Sequence, residues 1–246
     1  MKLLLTSSGI SNRAIENALV DLLGKPISEC KALIVLTGMY PFKDGAYYAW
    51  SPIAGSKAAH FAQLGWKAVG LLELTALTSV ARANWLAAIE EADAILVWGG
   101  DPLYLAYWMA QSGLTEVLPN LASGPVYVGV SAGAIATAKL FGEAYTAVPG
   151  AAGHPLSSEE IVLPEGNITR TLVIARGMGL TDFAIIPHLE NKNHSDASLV
   201  NAEAWAAKLP VPVYAIDDDT AIKFDNGAVD VVSEGQWKLF TPKAAT

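Results

Sequence analysis

The chain has 246 residues, of which 52% are hydrophobic and 16% charged, and its formal net charge is −8. This length can bury the core of one large α/β domain, and no apolar run reaches the roughly 18 residues of a membrane-spanning helix. The acidic charge and the lack of Lys and Arg clusters argue against nucleic acid or a membrane surface as partner. The single cysteine, Cys30, excludes an internal disulfide bond and fits a reducing compartment, which favours the cytoplasm.

Apolar runs alternate with segments of helical periodicity in the first part of the chain, which predicts βαβ units and a parallel sheet. The N-terminal run is predicted to be a strand, because it has neither the apolar core nor the cleavage site of an export signal. The predicted strands are 2–7, 32–37, 68–74, 94–98 and 126–130, and the predicted helices are 13–23, 56–64, 79–92, one that begins at Asp101-Pro102, and 134–140.

A long loop is predicted between Gly38 and Gly55, and it carries the aromatic residues Tyr40, Tyr47, Tyr48 and Trp50. Loops of this length in a compact domain are usually functional, so these aromatic side chains are candidates for the wall of a substrate pocket. Exposed aromatic side chains would also favour a homodimer.

The second part of the chain is less regular. Residues 143–163 are predicted to be rich in loops and 166–179 to be weakly periodic. Strands are then expected at 183–188 and 213–216, a helix at 196–208, a hairpin of 221–224 with 229–232, and a further short strand at 237–240. Because no repeat or linker is visible, the chain is interpreted as a single α/β domain over 1–246, with a doubly wound, mostly parallel sheet, flanking helices and a C-terminal antiparallel hairpin.

The strongest chemical signal is the segment Gly129-Val130-Ser131-Ala132-Gly133, which follows a buried strand and precedes good helix formers. Strand, tight turn and helix form the context in which a Gly-x-Ser-x-Gly motif presents a nucleophile. Ser131 is therefore the candidate nucleophile. The free N–H groups and positive end of the following helix would suit a developing oxyanion.

A second glycine turn, Gly99-Gly100-Asp101-Pro102, follows another predicted strand. Ligands bind beyond the carboxyl ends of the strands in an open α/β sheet, so this turn and the Ser131 turn should share one edge. The N–H groups of Gly100 and Ala132 could then form an oxyanion hole, and Gly99 and Asp101 are candidates for substrate contacts. The simpler alternative is a strand-to-helix turn with no other role.

Serine needs a base, and His188 is the favoured one of four histidines because it follows a buried strand. His60 is expected to be structural, and His154 lies in a Gly- and Pro-rich loop. His194 follows a polar turn. Candidates for the acid that orients the base are Asp217, Asp218, Asp219, Glu143 and Glu190.

The spacing of His188, Glu190, His194 and Asp196 within nine residues also allows a metal site. Such a cluster on an irregular polar loop is more often a solvated turn, and no other group of His or Cys completes it. Neither a metal nor another cofactor is therefore expected.

With these residues assembled, the chain resembles the family of serine hydrolases that contains peptidase E and cyanophycinase, whose fold is like that of class I glutamine amidotransferases. The matching segments span nearly the whole length, and they are 98–101, 129–134, 186–188 and 215–222. The resemblance implies that Ser131 is the nucleophile, His188 the general base, and the Gly100 and Ala132 amides the oxyanion hole. It places the acid of cyanophycinase-like members on Asp218, with Asp217 next, whereas a peptidase E-like position would offer only Glu143 or Thr146.

The resemblance implies a serine peptidase that hydrolyses a bond near the N-terminus of small peptides. Peptidase E removes N-terminal aspartate from dipeptides, so an acidic preference would require a cation, which Arg170 or Arg176 could supply. A glutamine amidotransferase is the first alternative, although those enzymes use cysteine as the nucleophile. A catalytically silent domain that binds a small molecule is the second.

Overall fold

The computed structural model describes residues 1–54, 61–121 and 124–242. The strands are β1 (Lys2–Thr6), β2 (Lys31–Val35), β3 (Ala68–Leu71), β4 (Ala94–Val97), β5 (Val126–Val130), β6 (Phe141–Tyr145), β7 (Pro155–Leu163), β8 (Ile168–Ala175), β9 (Ala184–Ile186), β10 (Val213–Ile216), β11 (Thr220–Asp225), β12 (Ala228–Ser233) and β13 (Trp237–Phe240). The helices are α1 (Arg13–Leu23), α2 (Gly45–Ala54), α3 (Leu74–Leu77), α4 (Arg82–Glu90), α5 (Pro102–Gln111), α6 (Leu114–Val117), α7 (Ala132–Ile135) and α8 (Leu199–Ala206).

The main sheet has seven strands in the order β12-β11-β1-β5-β4-β2-β3. The five strands from β1 to β3 in this order are parallel, and β11 and β12 extend the sheet antiparallel to β1. Every residue of β4 and β5 is buried, as expected for strands covered on both faces. The predicted α/β class with a mostly parallel sheet and a C-terminal hairpin is therefore confirmed.

Successive side chains of the same strand enter different core clusters. In β1, Leu3 and Leu5 belong to one cluster and Leu4 to the other. In β4, Ile95 and Leu96 divide in the same way. Successive side chains of a strand point to opposite faces of the sheet. Because both faces of these strands are buried, every position is apolar and the sequence shows a continuous apolar run.

The hairpin between β11 and β12 is closed by Asn226 and Gly227, whose φ angles are 49° and 95°. An Asn-Gly pair with positive φ at both positions forms a two-residue hairpin turn whose twist matches that of the two strands it joins. The last strand, β13, does not join this hairpin. It pairs with β10 in a separate three-stranded sheet of order β13-β10-β9.

The prediction of loops at 143–163 and of irregular chain at 166–179 was wrong. Strands β6, β8 and β7 form a third, antiparallel sheet in this region. The first six residues of β7 are exposed and largely polar, so this strand is stabilised by backbone pairing with β8 and carries no alternating apolar signal.

Several helices also differ from prediction. The predicted loop 38–55 contains α2, and in place of the predicted helix 134–140 the structure has the four-residue helix α7, which ends at Ile135. The predicted helices 79–92 and 196–208 are shorter, as α4 and α8. The predicted helix 56–64 lies partly outside the described residues, and its described part, 61–64, forms turns. Among the described helices, none has both the length and the apolar content required to cross a membrane.

Candidate active site

Ser131 connects β5 to α7 with φ 51° and ψ −113°, a strained backbone conformation for a residue with a side chain. Its N–H donates to the Thr6 carbonyl at 2.9 Å, which fixes the turn to the end of β1. The buried Tyr127 hydroxyl donates to the Gly133 carbonyl at 2.7 Å. A Cβ atom at Gly133 would lie 2.2 Å from the Val97 carbonyl oxygen, so only glycine permits this packing of α7 against β4.

The Gly99-Gly100 turn lies against Ser131, as the sequence predicted for two turns on one sheet edge. A Cβ atom at Gly99 would be 3.2 Å from that of Ser131. Gly100 has φ 125°, and a Cβ atom there would be 2.2 Å from the Gly38 carbonyl oxygen, which also accepts a hydrogen bond from the Asp101 N–H at 2.8 Å. The turn therefore requires glycine at position 100 for two independent reasons.

Two backbone amides at this edge have no hydrogen-bond acceptor in the described chain. Within the described part of the chain, neither the Gly100 nor the Ala132 N–H donates a hydrogen bond. Because α7 has only four residues, the field of a long helix, which the sequence predicted, is not available at the Ala132 N–H.

His188 follows β9 and reaches Ser131: its Nε2 is 3.0 Å from the Ser131 Oγ. Its φ of 62° lies in the left-handed region, which residues with a side chain rarely adopt. The His188 backbone N–H donates to the Ser7 Oγ at 3.1 Å, and the Ser7 hydroxyl donates to the Ile216 carbonyl at 2.9 Å. Ser7, which is fully buried, thus ties the ends of β1, β9 and β10 together.

Asp218 lies on the other side of the imidazole, with its Oδ1 2.9 Å from His188 Nδ1. Its Oδ2 accepts a hydrogen bond from the Asn191 side-chain amide. Burial raises the pKa of Asp218, but hydrogen bonds from His188, Ser8 and Asn191 and the charge of His188 outweigh it and lower the pKa to about 2. The ionised carboxylate holds the proton on Nδ1, leaving Nε2 to accept the serine proton.

The neighbouring aspartates have structural partners instead. Asp217 accepts hydrogen bonds from the Thr220 hydroxyl at 2.6 Å and from the Gln236 N–H, which closes the turn between β10 and β11. The Asp219 N–H also donates to Asp217, at 3.1 Å. Neither side chain bonds to His188, so of these three carboxylates the structure brings Asp218 to the imidazole.

The two glutamates considered as the acid also lie apart from the imidazole nitrogens. Glu190 accepts a hydrogen bond from the Leu199 N–H at 2.7 Å, at the start of α8. Glu143, on β6, lines the cavity next to Ser131 but makes no hydrogen bond to His188 in the described chain.

The cluster that suggested a metal site is engaged differently. His194 stacks on His188, with ring centroids 4.2 Å apart and planes 8° from parallel. Asp196 accepts a hydrogen bond from Arg170 Nε at 2.9 Å, while Glu190 caps α8. In the described part of the chain, no three His, Cys, Asp or Glu side chains are grouped as metal ligands.

Two other reactive side chains of the described chain, those of His154 and Cys30, do not contact Ser131. His154 is exposed and packs against Tyr107, with ring centroids 5.0 Å apart. His60 falls outside the described residues. Cys30 is fully buried and serves as a packing residue.

A cavity of about 390 Å³ opens beside Ser131 and His188. It is lined by Phe42, Gly100, Asp101, Pro102, Ser131, Ile135, Glu143, Ala144, Tyr145, Thr146, Ala147, Pro149, Pro187, His188, His194, Asp196, Ala197 and Trp205. This volume is at the small end of the range for ligand pockets. Of the two residues predicted to contact substrate, Asp101 lines the cavity and Gly99 does not.

Neither predicted arginine enters this cavity. Arg170 is paired with Asp196 and does not itself line the cavity, and Arg176 is exposed at the end of β8. No Lys or Arg of the described chain lines the cavity, so the structure does not support the cation that an acidic preference would require.

The aromatic residues predicted for the pocket wall lie elsewhere. Tyr47 and Trp50 of α2 are 71% and 61% exposed, and Tyr40 and Tyr48 are also exposed and outside the lining. The aromatic side chain that this segment does contribute is Phe42.

Sequence analysis missed the roles of three residues: Ser7, Asn191 and His194. Ser7 has no local signal, since its contacts are 181 and 209 residues away. Asn191 lies only three residues after His188, and this nearness in the sequence was a usable signal. In the structure its N–H donates to the His188 carbonyl at 3.0 Å. His194 was considered only as a base or a metal ligand.

The comparisons with known proteins show the family and the fold. Peptidase family S51 matches residues 3–232. No curated protein sequence matches the chain. A protein of Listeria monocytogenes EGD-e, assigned as a peptidase E, has a similar structure with a TM-score of 0.59 and 16% identity, over 95% of this chain and 98% of that one.

A peptidase from an acI-B1 actinobacterium is similar with a TM-score of 0.62 and 19% identity, over 98% of this chain and 94% of that one. At these identities the two structures establish the shared fold. The family match covers most of the chain and includes the segments that carry Ser131, His188 and Asp218. The chain belongs to peptidase family S51 and is a serine-type peptidase.

Proposed function

We propose that the chain hydrolyses a peptide bond near the N-terminus of small peptides by acyl transfer, with Ser131 as nucleophile, His188 as general base and Asp218 as the acid that orients it. The observation that carries this proposal is the continuous contact from Ser131 Oγ through both imidazole nitrogens to Asp218, with distances of 3.0 and 2.9 Å. Nucleophile, base and orienting acid within hydrogen-bond reach are the geometric signature of this chemistry.

In the first half-reaction the Ser131 Oγ bonds to the substrate carbonyl carbon while His188 Nε2 takes the hydroxyl proton. The carbonyl oxygen becomes an oxyanion and accepts hydrogen bonds from the free N–H groups of Gly100 and Ala132. When the C–N bond breaks, His188 returns the proton to the departing amine and an acyl-Ser131 ester remains.

In the second half-reaction His188 removes a proton from water, and the hydroxide oxygen bonds to the ester carbonyl. The C–O bond to Ser131 then breaks, and His188 returns the proton to the Ser131 oxygen. Asp218 remains ionised throughout, because its low pKa favours a carboxylate that stabilises the transient imidazolium. The small volume of the cavity supports short peptides as the substrates.

The test is hydrolysis of a panel of dipeptides and tripeptides followed by chromatography of the products. We expect the parent protein to release N-terminal residues and Ser131→Ala to lower kcat by about 10⁴-fold or more. Ser158→Ala, at an exposed position of β7, is the matched control and should retain full activity. A Ser131→Ala protein as active as the parent would contradict the proposal.

A further inference from the structure

The three proposed catalytic side chains come from two different sheets. Ser131 follows β5, which belongs to the seven-stranded sheet. His188 follows β9 and Asp218 follows β10, and both strands belong to the separate sheet of order β13-β10-β9. The serine and the His188–Asp218 pair are thus carried by two units. The distance of 3.0 Å between Ser131 Oγ and His188 Nε2 therefore depends on how these two units are joined.

Two consecutive residues at the end of β1 hold both units. The Thr6 carbonyl accepts a hydrogen bond from the Ser131 N–H at 2.9 Å. The next residue, Ser7, accepts one from the His188 N–H at 3.1 Å through its side-chain oxygen. Because consecutive Cα atoms across a trans peptide are about 3.8 Å apart, the spacing of these two attachment points is narrowly fixed. The end of β1 thereby sets the position of the base relative to the nucleophile.

The Ser7 hydroxyl group forms the link between the two units. It is 0% exposed, it donates its proton to the Ile216 carbonyl at 2.9 Å, and it accepts from the His188 N–H. The Ile216 carbonyl, two residues before Asp218, also accepts a hydrogen bond from the Leu189 N–H at 3.0 Å. The base and the acid are therefore tied to each other without Ser7, and Ser7 adds their attachment to β1.

We propose that Ser7 is a positioning residue for catalysis, whose hydroxyl group fixes the imidazole of His188 against Ser131 by joining the two sheets. The proposal rests on the proposed peptidase function, to which it adds a further residue. Ser7 does not line the cavity, so it acts through the main chain of His188 and not on the substrate. Its effect should appear in kcat, since a displacement of about 1 Å can lower the rate of an enzyme by about 10²-fold.

A buried serine can also serve folding alone, and Ser112 is the matched control for that role. Ser112 lies just after α5, is 7% exposed, and does not line the cavity. Its hydroxyl group donates to the Met109 carbonyl at 3.2 Å and accepts from the Leu114 N–H at 3.4 Å. Ser112→Ala thus removes the same pair of backbone contacts without any link to His188. It should lower the melting temperature and leave kcat unchanged.

The experiment measures kcat, KM and the melting temperature of Ser7→Ala, Ser7→Cys and Ser112→Ala, with the best peptide substrate of the parent. Ser7→Ala should lower kcat by about 10- to 100-fold and leave KM within about 3-fold of the parent. Ser7→Cys fills the same space, but a thiol is a weak donor and acceptor, so kcat should again fall by about 10-fold or more. The rate at which a fluorophosphonate labels Ser131 should fall in parallel, because it requires the same activation.

The proposal is overturned if kcat of Ser7→Ala stays within about 3-fold of the parent. It is also overturned if Ser7→Cys restores kcat to that level, because the volume of the side chain and not its hydrogen bonds would then matter. An equal loss of kcat in Ser112→Ala would have the same consequence, since activity would merely follow stability. If Ser7→Ala does not fold, Ser7→Cys, which leaves no cavity, provides the decision.

Crystal structures of the parent, Ser7→Ala and Ser112→Ala separate this inference from the peptidase proposal. In Ser7→Ala the distance between His188 Nε2 and Ser131 Oγ should exceed about 3.5 Å, too long for a hydrogen bond, and Ser112→Ala should keep it. If the parent cleaves no peptide but this distance lengthens in Ser7→Ala alone, the mechanism fails and the positioning role stands. If the parent cleaves peptides and Ser7→Ala keeps both kcat and the distance, the mechanism stands and the positioning role fails. An inactive parent with an unchanged distance in Ser7→Ala would refute both.

Discussion

The imidazole ring of His194 stacks on that of His188, with centroids 4.2 Å apart and planes 8° from parallel. Burial lowers the pKa of His194, and the charge of His188 lowers it further, against the opposing effects of Asp196 and Asp218. His194 is therefore neutral at neutral pH and packs as a flat aromatic surface. Its protonation at lower pH would place a second positive charge against the general base.

His194→Phe and His194→Ala separate the packing role of this ring from its charge. Phenylalanine keeps the stacked ring and cannot be protonated, so kcat at pH 8 should stay within about 3-fold of the parent. Alanine removes the ring, and kcat should fall by about 10-fold because His188 loses a positioning contact.

The pH profile of kcat/KM provides the sharper readout. In the parent, protonation of His194 beside the general base should suppress activity further, so log kcat/KM should fall more steeply on the acid side than it does in His194→Phe. The same slope in both proteins would show that His194 does not act through its charge.

Asp218→Asn tests the orienting acid. Asparagine keeps the shape of the side chain but no longer favours the proton on His188 Nδ1, and the equivalent change in a serine protease lowers kcat by about 10⁴-fold. Asp217→Asn is the matched control at the adjacent position, where the side chain closes the turn through Thr220. It should lower the melting temperature and leave kcat nearly unchanged, and a larger kcat loss in Asp217→Asn would contradict the assignment.

Gly100→Ala tests the proposed oxyanion hole. The added Cβ atom would collide with the Gly38 carbonyl oxygen at 2.2 Å, so the turn must move and its N–H with it. Loss of one oxyanion donor lowers kcat by about 10²–10³-fold in a known serine protease. Gly24→Ala also places alanine at a positive φ, 70°, but in open space at the end of α1. It should lower stability by about 1 kcal/mol without loss of kcat, so an equal loss of kcat in both variants would sink the oxyanion assignment.

Folding stability should depend on the pH through Glu143. Its pKa is about 8 in the folded chain, above the ordinary value of 4.5, so the folded state binds more protons than the unfolded state between these values. The contribution of Glu143 to the free energy of unfolding should therefore be largest below about pH 4.5 and should be lost as the pH rises through 8.

Glu143→Gln removes this contribution, and Glu160→Gln is the control on the exposed face of β7. Chemical denaturation between pH 4.5 and 8.5 should show the parent and Glu160→Gln losing stability relative to Glu143→Gln as the pH rises. A parent curve parallel to that of Glu143→Gln would mean that this carboxyl group is not held in its neutral form.

The parallel sheet was predictable because its strands are buried on both faces and appear in the sequence as continuous apolar runs, as in Ala94–Val97. The polar strand β7 was not, because its pairing with β8 depends on backbone hydrogen bonds between segments that carry no periodic apolar pattern. Likewise α7 is shorter than its helix-forming sequence indicated, since the chain turns at Ala136–Lys139 to begin β6.

The positions of Ser131, His188 and Gly100 were expected from local patterns, because each follows a strand and all three strand ends meet at one edge. The choice of Asp218 over Asp217 could not be made from alternation alone, since consecutive residues simply point to opposite sides. The grouping of carboxyl groups in the cavity was also hidden, because Asp101, Glu143 and Asp196 come from separate elements that only the fold brings together.

The most direct test of the central claim is reaction of the parent protein with a fluorophosphonate, followed by digestion and mass spectrometry of the peptides. An activated serine should be modified at one position, Ser131, and His188→Gln should slow this labelling because Nε2 no longer accepts the hydroxyl proton. A protein that hydrolyses peptides while its adduct maps to another serine, or while Ser131 remains unmodified, would contradict the account.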